Sequence, residues 1–163
     1  MTTRAVLALG SNLGERDDTL AAGVEQLVDH PQVRLSKMSP MVQTKPVGGP
    51  EQPDYLNMVI EVETDFEPYA LLAHCQGVEQ AHHRRRAVRW GPRTLDVDII
   101  TYGDLVCDDP QLTLPHPRAA QRAFVLQPWA WMDNSAQVAG RPVASLAAEA
   151  DDLPGLKLYE RDV

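Results

Sequence analysis

Two helix-length segments alternate with strand-length apolar runs in an order that few folds accommodate. Residues 4–10 (RAVLALG) form a short apolar run of strand length. The turn-forming stretch Gly10-Ser11-Asn12-Leu13-Gly14 follows. Over residues 17–28, Leu20, Val24, Leu27 and Val28 fall on one helical face, Asp17 and Asp18 suit the helix dipole at its start, and Pro31 ends it. Residues 33–39 alternate weakly and predict a strand with no cleanly apolar face. Residues 40–53 carry Pro40, Pro46, Gly48, Gly49, Pro50 and Pro53 and predict a long loop. Residues 55–63 (YLNMVIEVE) alternate Leu56, Met58, Ile60 and Val62 with Tyr55, Asn57, Val59, Glu61 and Glu63, which predicts a strand with one dry and one polar face. Residues 67–81 give a second helix, with Pro68 in its first turn and Leu71, Leu72, Cys75 and Val78 at helical spacing. Residues 94–102 (TLDVDIITY) give a strand with Leu95, Val97 and Ile99 on one face and Asp96, Asp98 and Ile100 on the other.

Strand, helix, strand, strand, helix, strand is the order of a split βαβ arrangement. It predicts a mixed α/β (α+β) fold, specifically a ferredoxin-like sandwich with an antiparallel-rich sheet. Both helices should cover one sheet face and leave the other free for loops or a ligand. Beyond residue 104 the pattern weakens. Residues 104–117 read as loop, residues 118–130 as a helix broken or ended by Pro128, and residues 143–150 as a short helix in a C-terminal extension. The 163 residues, 44% apolar and 23% charged, suit one domain spanning 1–163.

A formal net charge of −8 argues against general nucleic-acid binding. No apolar run approaches membrane-spanning length and no signal peptide is visible, so the expectation is a soluble, cytoplasmic protein. Cys75 and Cys107 form no metal-ligand or CxxC pattern and are expected as buried free thiols, with a single disulfide as the alternative.

The sharpest chemical signal is Asp96-Val97-Asp98. Residues two apart on a strand point to the same face, so the carboxylates repel unless a cation joins them. Mg²⁺ resolves that repulsion by taking carboxylate and phosphate oxygens together. Alternatively, the pair is a solvated strand face balanced by arginines. Just upstream, Arg84, Arg85, Arg86, Arg89 and Arg93 concentrate five of the fifteen Lys and Arg residues within ten positions. Guanidinium groups bind phosphate bidentately and stay charged, so the cluster fits phosphoryl transfer, although a solvated surface or an RNA patch would carry the same residues. No Walker A pattern occurs, so a nucleotide must be held in another way. Tyr55 and Asn57 share a strand face, and with Phe124 they could stack and edge-read a flat heterocycle, although Phe124 could equally belong to the core. Trp90 sits in the basic loop, where an indole makes sense if the loop closes over a ligand. His116 lies between two prolines, as a phosphate ligand or a rigid turn residue, and His82 and His83 are expected to face solvent.

The stretch RWGPRTLDVDI (residues 89–99) closely resembles the signature of the 6-hydroxymethyl-7,8-dihydropterin pyrophosphokinases. Three further blocks agree in order and spacing: ALGSNLG (8–14), PDYLN (53–57) and LTLPHPRAAQRAFVLQP (112–128). The resemblance implies transfer of the β,γ-pyrophosphoryl unit of ATP to the hydroxymethyl group of a reduced pterin, a step of folate biosynthesis. It implies two Mg²⁺ ions held by Asp96 and Asp98, with Arg84 and Arg93 on the phosphates and sharing the catalytic role with the two aspartates. Glu79, Trp90, Thr113, His116 and Arg122 would lie at the nucleotide. Tyr55 and Phe124 would sandwich the pterin, and Asn57, Thr44 and Val47 would bind its edge. His83, where the family often has glycine, and Lys45, where some members have proline, depart from the pattern. The rival readings are a non-catalytic nucleotide- or RNA-binding module and a kinase with another acceptor.

Overall fold

The computed structural model describes residues 2–11, 16–45, 54–83 and 95–160. Its elements are β1 (Thr3–Ser11), α1 (Arg16–Val28), β2 (Val33–Met38), β3 (Val42–Thr44), β4 (Tyr55–Thr64), α2 (Pro68–His83), β5 (Asp96–Tyr102), β6 (Cys107–Asp109), β7 (Leu112–Leu114), α3 (Ala123–Met132), β8 (Gln137–Val138), β9 (Arg141–Pro142), α4 (Val143–Glu149) and β10 (Lys157–Leu158). The fold is α+β. Its main sheet has six strands in the order β10-β3-β4-β1-β5, with β2 also pairing to β4, and every pairing is antiparallel.

One sheet face carries the larger core. Leu7 and Leu9 of β1, Met58 and Ile60 of β4, and Val97 and Ile99 of β5 pack against Leu20 and Leu27 of α1 and Leu71 and Cys75 of α2. Gly23 lets α1 lie close to the sheet: a Cβ there would stand 3.0 Å from Leu95 Cδ2. The two helices are joined by His82, whose Nε2 pairs with Gln26 Oε1 at 3.1 Å. His82 is buried, so the expectation that it faces solvent is wrong; it closes the seam between the helices.

The second face is covered in part. Val6, Val59 and Ile100 lie under α3 and α4, against Val125, Leu126, Trp129, Val143 and Leu146. The face of β4 expected to be polar therefore holds Val59 under that cover, together with buried Asn57 and Glu61. Glu61 is reconciled to this by Ser36, whose Oγ donates to Glu61 Oε2 at 3.0 Å. Ser36 sits where the β2–β4 register shifts between Leu35 and Lys37, and that irregularity explains the weak alternation of residues 33–39.

Three other expectations change. The stretch 40–53 contains β3, which pairs Val42 with Asn57 and Thr44 with Tyr55. Residues 104–117 contain the β6–β7 hairpin. Pro128 does not end α3, which runs on to Met132 after a 3₁₀ turn at Ala119–Gln121. Its apolar residues Val125, Leu126 and Trp129 are buried, and that packing holds the helix through the proline. Among the described residues, no helix is long and apolar enough to cross a membrane.

Candidate active site

The cavity lies where α3 stops covering the sheet. Its floor is built by register. Gly10 of β1 stands opposite Asn57 of β4 on one side and Asp96 of β5 on the other; Ala8 likewise stands between Val59 and Asp98. Neighbouring strands are about 4.8 Å apart, so a row running Asn57–Gly10–Asp96 spans about 10 Å. Small residues in the middle strand leave open floor between an amide on one side and two carboxylates on the other. Gly10 is required for this. A Cβ on it would sit 2.6 Å from Asn57 Oδ1.

The cavity has a volume of about 660 Å³ and is lined by Thr44, Tyr55, Asn57, Asp96, Asp98, His116, Arg122 and Phe124, among others. These eight expected site residues come from five separate parts of the chain. β5 presents both aspartates because Leu95, Val97 and Ile99 are buried on its opposite side. β4 presents Tyr55 and Asn57. The first turn of α3 presents Phe124, and Arg122 at its N-cap places its guanidinium carbon 5.5 Å from the Phe124 ring centroid.

His116 is fixed from both sides. Its backbone N–H donates to Ile100 O at 2.8 Å, and its Nδ1 accepts from Arg118 N–H at 3.2 Å. Burial pushes its pKa below the ordinary 6.5; the Asp98 charge opposes that shift, and Arg122 and Arg118 add to it. The imidazole therefore favours the neutral form in a cavity that also holds carboxylates.

Glu79 and Thr113 are placed differently. Neither lines the cavity. Glu79 Oε2 accepts from the backbone N–H of Val97 at 2.9 Å, between the two aspartates, so α2 grips the outer edge of β5. Thr113 Oγ1 donates to Asp109 O at 3.1 Å within its own hairpin. Arg84, Trp90, Arg93 and Val47 lie outside the described residues, as do Asn12 and the expected closing loop.

Several lining residues carried no signal in the sequence. Asp152, Pro154, Gly155 and Lys157 form a wall from the C-terminal extension; Lys45, already noted as a departure from the family's pattern, lines the cavity beside Thr44. No periodicity or motif marks residues 152–157; only tertiary packing brings them here.

Two neighbouring carboxylates can take a hard cation. Among the described residues, no group of three or more His, Cys, Asp and Glu side chains could hold a metal ion. Mg²⁺ does not demand such a group, because it keeps waters and phosphate oxygens as ligands. Asp96 and Asp98, on one strand face with no bulky side chain opposite them on β1, fit it.

An α+β sheet thus carries a carboxylate pair and an aromatic-amide group in the lining of one cavity. The family model for 7,8-dihydro-6-hydroxymethylpterin-pyrophosphokinase (HPPK) matches residues 6–134. The 2-amino-4-hydroxy-6-hydroxymethyldihydropteridine pyrophosphokinase of Bacillus subtilis (strain 168) is 42% identical over 130 residues, covering 80% of this chain and 78% of the relative. That of Methylorubrum extorquens is 38% identical over 149 residues, covering 91% and 94%. The bifunctional protein FolKE of Lactococcus lactis (strain IL1403) is 41% identical over 122 residues, but this chain spans only 35% of it. Among solved structures, wild-type Plasmodium falciparum HPPK-DHPS with pterin and p-hydroxybenzoate superposes with a TM-score of 0.75 at 14% identity, over 97% of this chain and 46% of that one. The chain belongs to the 7,8-dihydro-6-hydroxymethylpterin-pyrophosphokinase family.

Proposed function

We infer that this cavity is where the chain carries out its family's reaction, pyrophosphoryl transfer from ATP to 6-hydroxymethyl-7,8-dihydropterin in folate biosynthesis. The single observation that carries the assignment is the floor of the cavity. Gly10 separates Asn57 from Asp96 in one hydrogen-bonded row, and Phe124 stands at the same cavity. A pterin against Tyr55, Asn57 and Phe124 has its hydroxymethyl group free to face the aspartates, with Thr44 on the heterocycle's edge.

Asp96 and Asp98 would hold the two Mg²⁺ ions. When bound, these ions neutralise phosphate charge and supply Lewis acidity at the transferred group. The pterin hydroxyl oxygen bonds to the β-phosphorus of ATP, the bond from that phosphorus to the α,β-bridging oxygen breaks, and AMP leaves. The bonding pair stays on the departing AMP oxygen, and the hydroxyl proton passes to solvent as the new ester forms. No covalent intermediate on the protein is needed. The chain supplies position and charge: Arg122 and His116 lie on the nucleotide side, and Arg84, Arg93 and Trp90 are assigned there from the signature alone. Glu79 supports β5 from behind. Its bond to Val97 N–H favours a positioning role over direct nucleotide contact.

The strand order, with β4 between β1 and β2 and β5 outside β1, supports the ferredoxin-like reading of the core. A single domain over 1–163, acting as a monomer on small molecules, completes the proposal. The test is product identity. Incubation with ATP, Mg²⁺ and the reduced pterin should yield one AMP per pterin consumed; stoichiometric ADP without AMP overturns the assignment.

A further inference from the structure

We infer that Asp152 is a positioning residue for the pterin, through a C-terminal strap that ties together the two sides of its pocket. This rests on the reading above that Phe124, Tyr55 and Asn57 hold the heterocycle. Those residues belong to separate units. Phe124 rides on the first turn of α3, while Tyr55 and Asn57 ride on β4. The α3 N-cap, Arg122, makes no side-chain capping bond. The cap comes from elsewhere in the chain: the Asp152 carboxylate accepts the Ala123 N–H, with Oδ1 at 2.9 Å and Oδ2 at 3.1 Å. Ala123 is fully buried, and its N–H lies in the helical turn where intrahelical acceptors are missing.

From Asp152 the chain makes a 3₁₀ turn at Leu153–Gly155 and enters β10, which pairs with β3 through Lys157↔Gln43 and Leu158↔Val42. β3 pairs in turn with β4, placing Thr44 opposite Tyr55 and Val42 opposite Asn57. Beyond β10, Tyr159 N–H donates to Met41 O at 3.0 Å, and Tyr159 Oη donates to Asp17 Oδ2 at 3.3 Å. One short segment thus bonds to the helix carrying Phe124 and to the sheet edge beside Tyr55. Asp152, Pro154, Gly155 and Lys157 also line the cavity. The strap sets the gap between the stacking ring and the amide that reads the pterin edge.

Asp152→Ala removes the cap; Asp152→Asn keeps an acceptor oxygen at the same reach. Each variant and the parent are titrated with the reduced pterin in the presence of Mg²⁺ and a non-reactive ATP analogue, and with the analogue alone. Steady-state KM and kcat and thermal unfolding are measured alongside. The expected result for Asp152→Ala is a roughly three- to tenfold weaker pterin affinity and a matching rise in pterin KM. Analogue affinity and kcat should stay within twofold, and Asp152→Asn should restore pterin affinity to within twofold of the parent. If Asp152→Ala yields too little folded protein, Asp152→Ser, whose shorter side chain falls short of Ala123, carries the same expectation. A lower unfolding temperature with unchanged pterin affinity and KM makes Asp152 a purely structural cap and overturns the inference. A parent that binds no pterin overturns the underlying reading instead, so the two failures are distinct.

Discussion

Gly10 shows how narrowly one residue sets the cavity floor. Its missing Cβ is the space that Asn57 Oδ1 occupies. Gly10→Ala should push the Asn57 amide aside at a cost of about 1–3 kcal/mol, shared between stability and pterin binding. The check is pterin titration with thermal unfolding; unchanged values in both would contradict the packing. His116 makes a pH-dependent prediction. Its pKa is depressed in the folded protein, so below about 6.5 the unfolded chain takes up a proton that the folded chain resists. Stability associated with the neutral imidazole is therefore present above that pH and is lost as pH falls toward the folded value. In urea unfolding at pH 7.5 and 5.5, without nucleotide or Mg²⁺, the parent should lose more stability than His116→Gln; parallel losses would contradict this. The thiols should also differ. Cys75 is buried with its pKa pushed up to about 12 by burial and the Glu79 and Asp98 charges, whereas Cys107 is partly exposed. A thiol reagent should titrate one group in the native protein and the second only on unfolding. At this scale the sequence is informative wherever chemistry and spacing coincide. Asp96 and Asp98, two apart on a strand, share a face by spacing alone, and so do Tyr55 and Asn57. Asp152 carries no such signal, because nothing local distinguishes a carboxylate that caps a distant helix.

The elements divide by how they are stabilised. α1, α2, β4 and β5 carry periodic patterns and β1 a short apolar run, and all five are legible in the sequence. β3, β6, β7 and β10 span two or three residues each, and their pairing partners, not their composition, make them strands. α3 outruns its sequence expectation because Pro128 weighs heavily in a propensity argument, whereas burial of Leu126 and Trp129 against the sheet outweighs it. The second face of β4 departs from expectation because Glu61 and Asn57 look solvated until Ser36 and Gly10 are brought against them. Gly77 offers a direct test of propensity. It lies exposed within α2, and a Cβ added there would meet nothing within 4 Å. Gly77→Ala should therefore stabilise the protein by about 0.5–1 kcal/mol, raising Tm by roughly 1–4 °C, with turnover unchanged. A lower Tm would show that the helix surface there is in contact with something else.

For the whole molecule, covering both sheet faces has a functional consequence. The larger core under α1 and α2 holds β1, β4 and β5 in register, while the second core under α3 and α4 only partly covers Ala8 and stops short of Gly10. The cavity is the uncovered remainder of that second face, with its carboxylates on one side and its aromatic and amide groups on the other. We propose that Asp96 and Asp98 serve pyrophosphoryl transfer at this cavity and contribute little to folding. The most direct measurement is single-turnover AMP release by the parent, Asp96→Asn and Asp98→Asn at saturating ATP, Mg²⁺ and reduced pterin, with thermal unfolding of each. The expected result is stoichiometric AMP from the parent, a loss of roughly 10²–10³-fold in rate for each variant, and unfolding temperatures near the parent's. AMP release at near-parental rates from either variant would contradict that assignment.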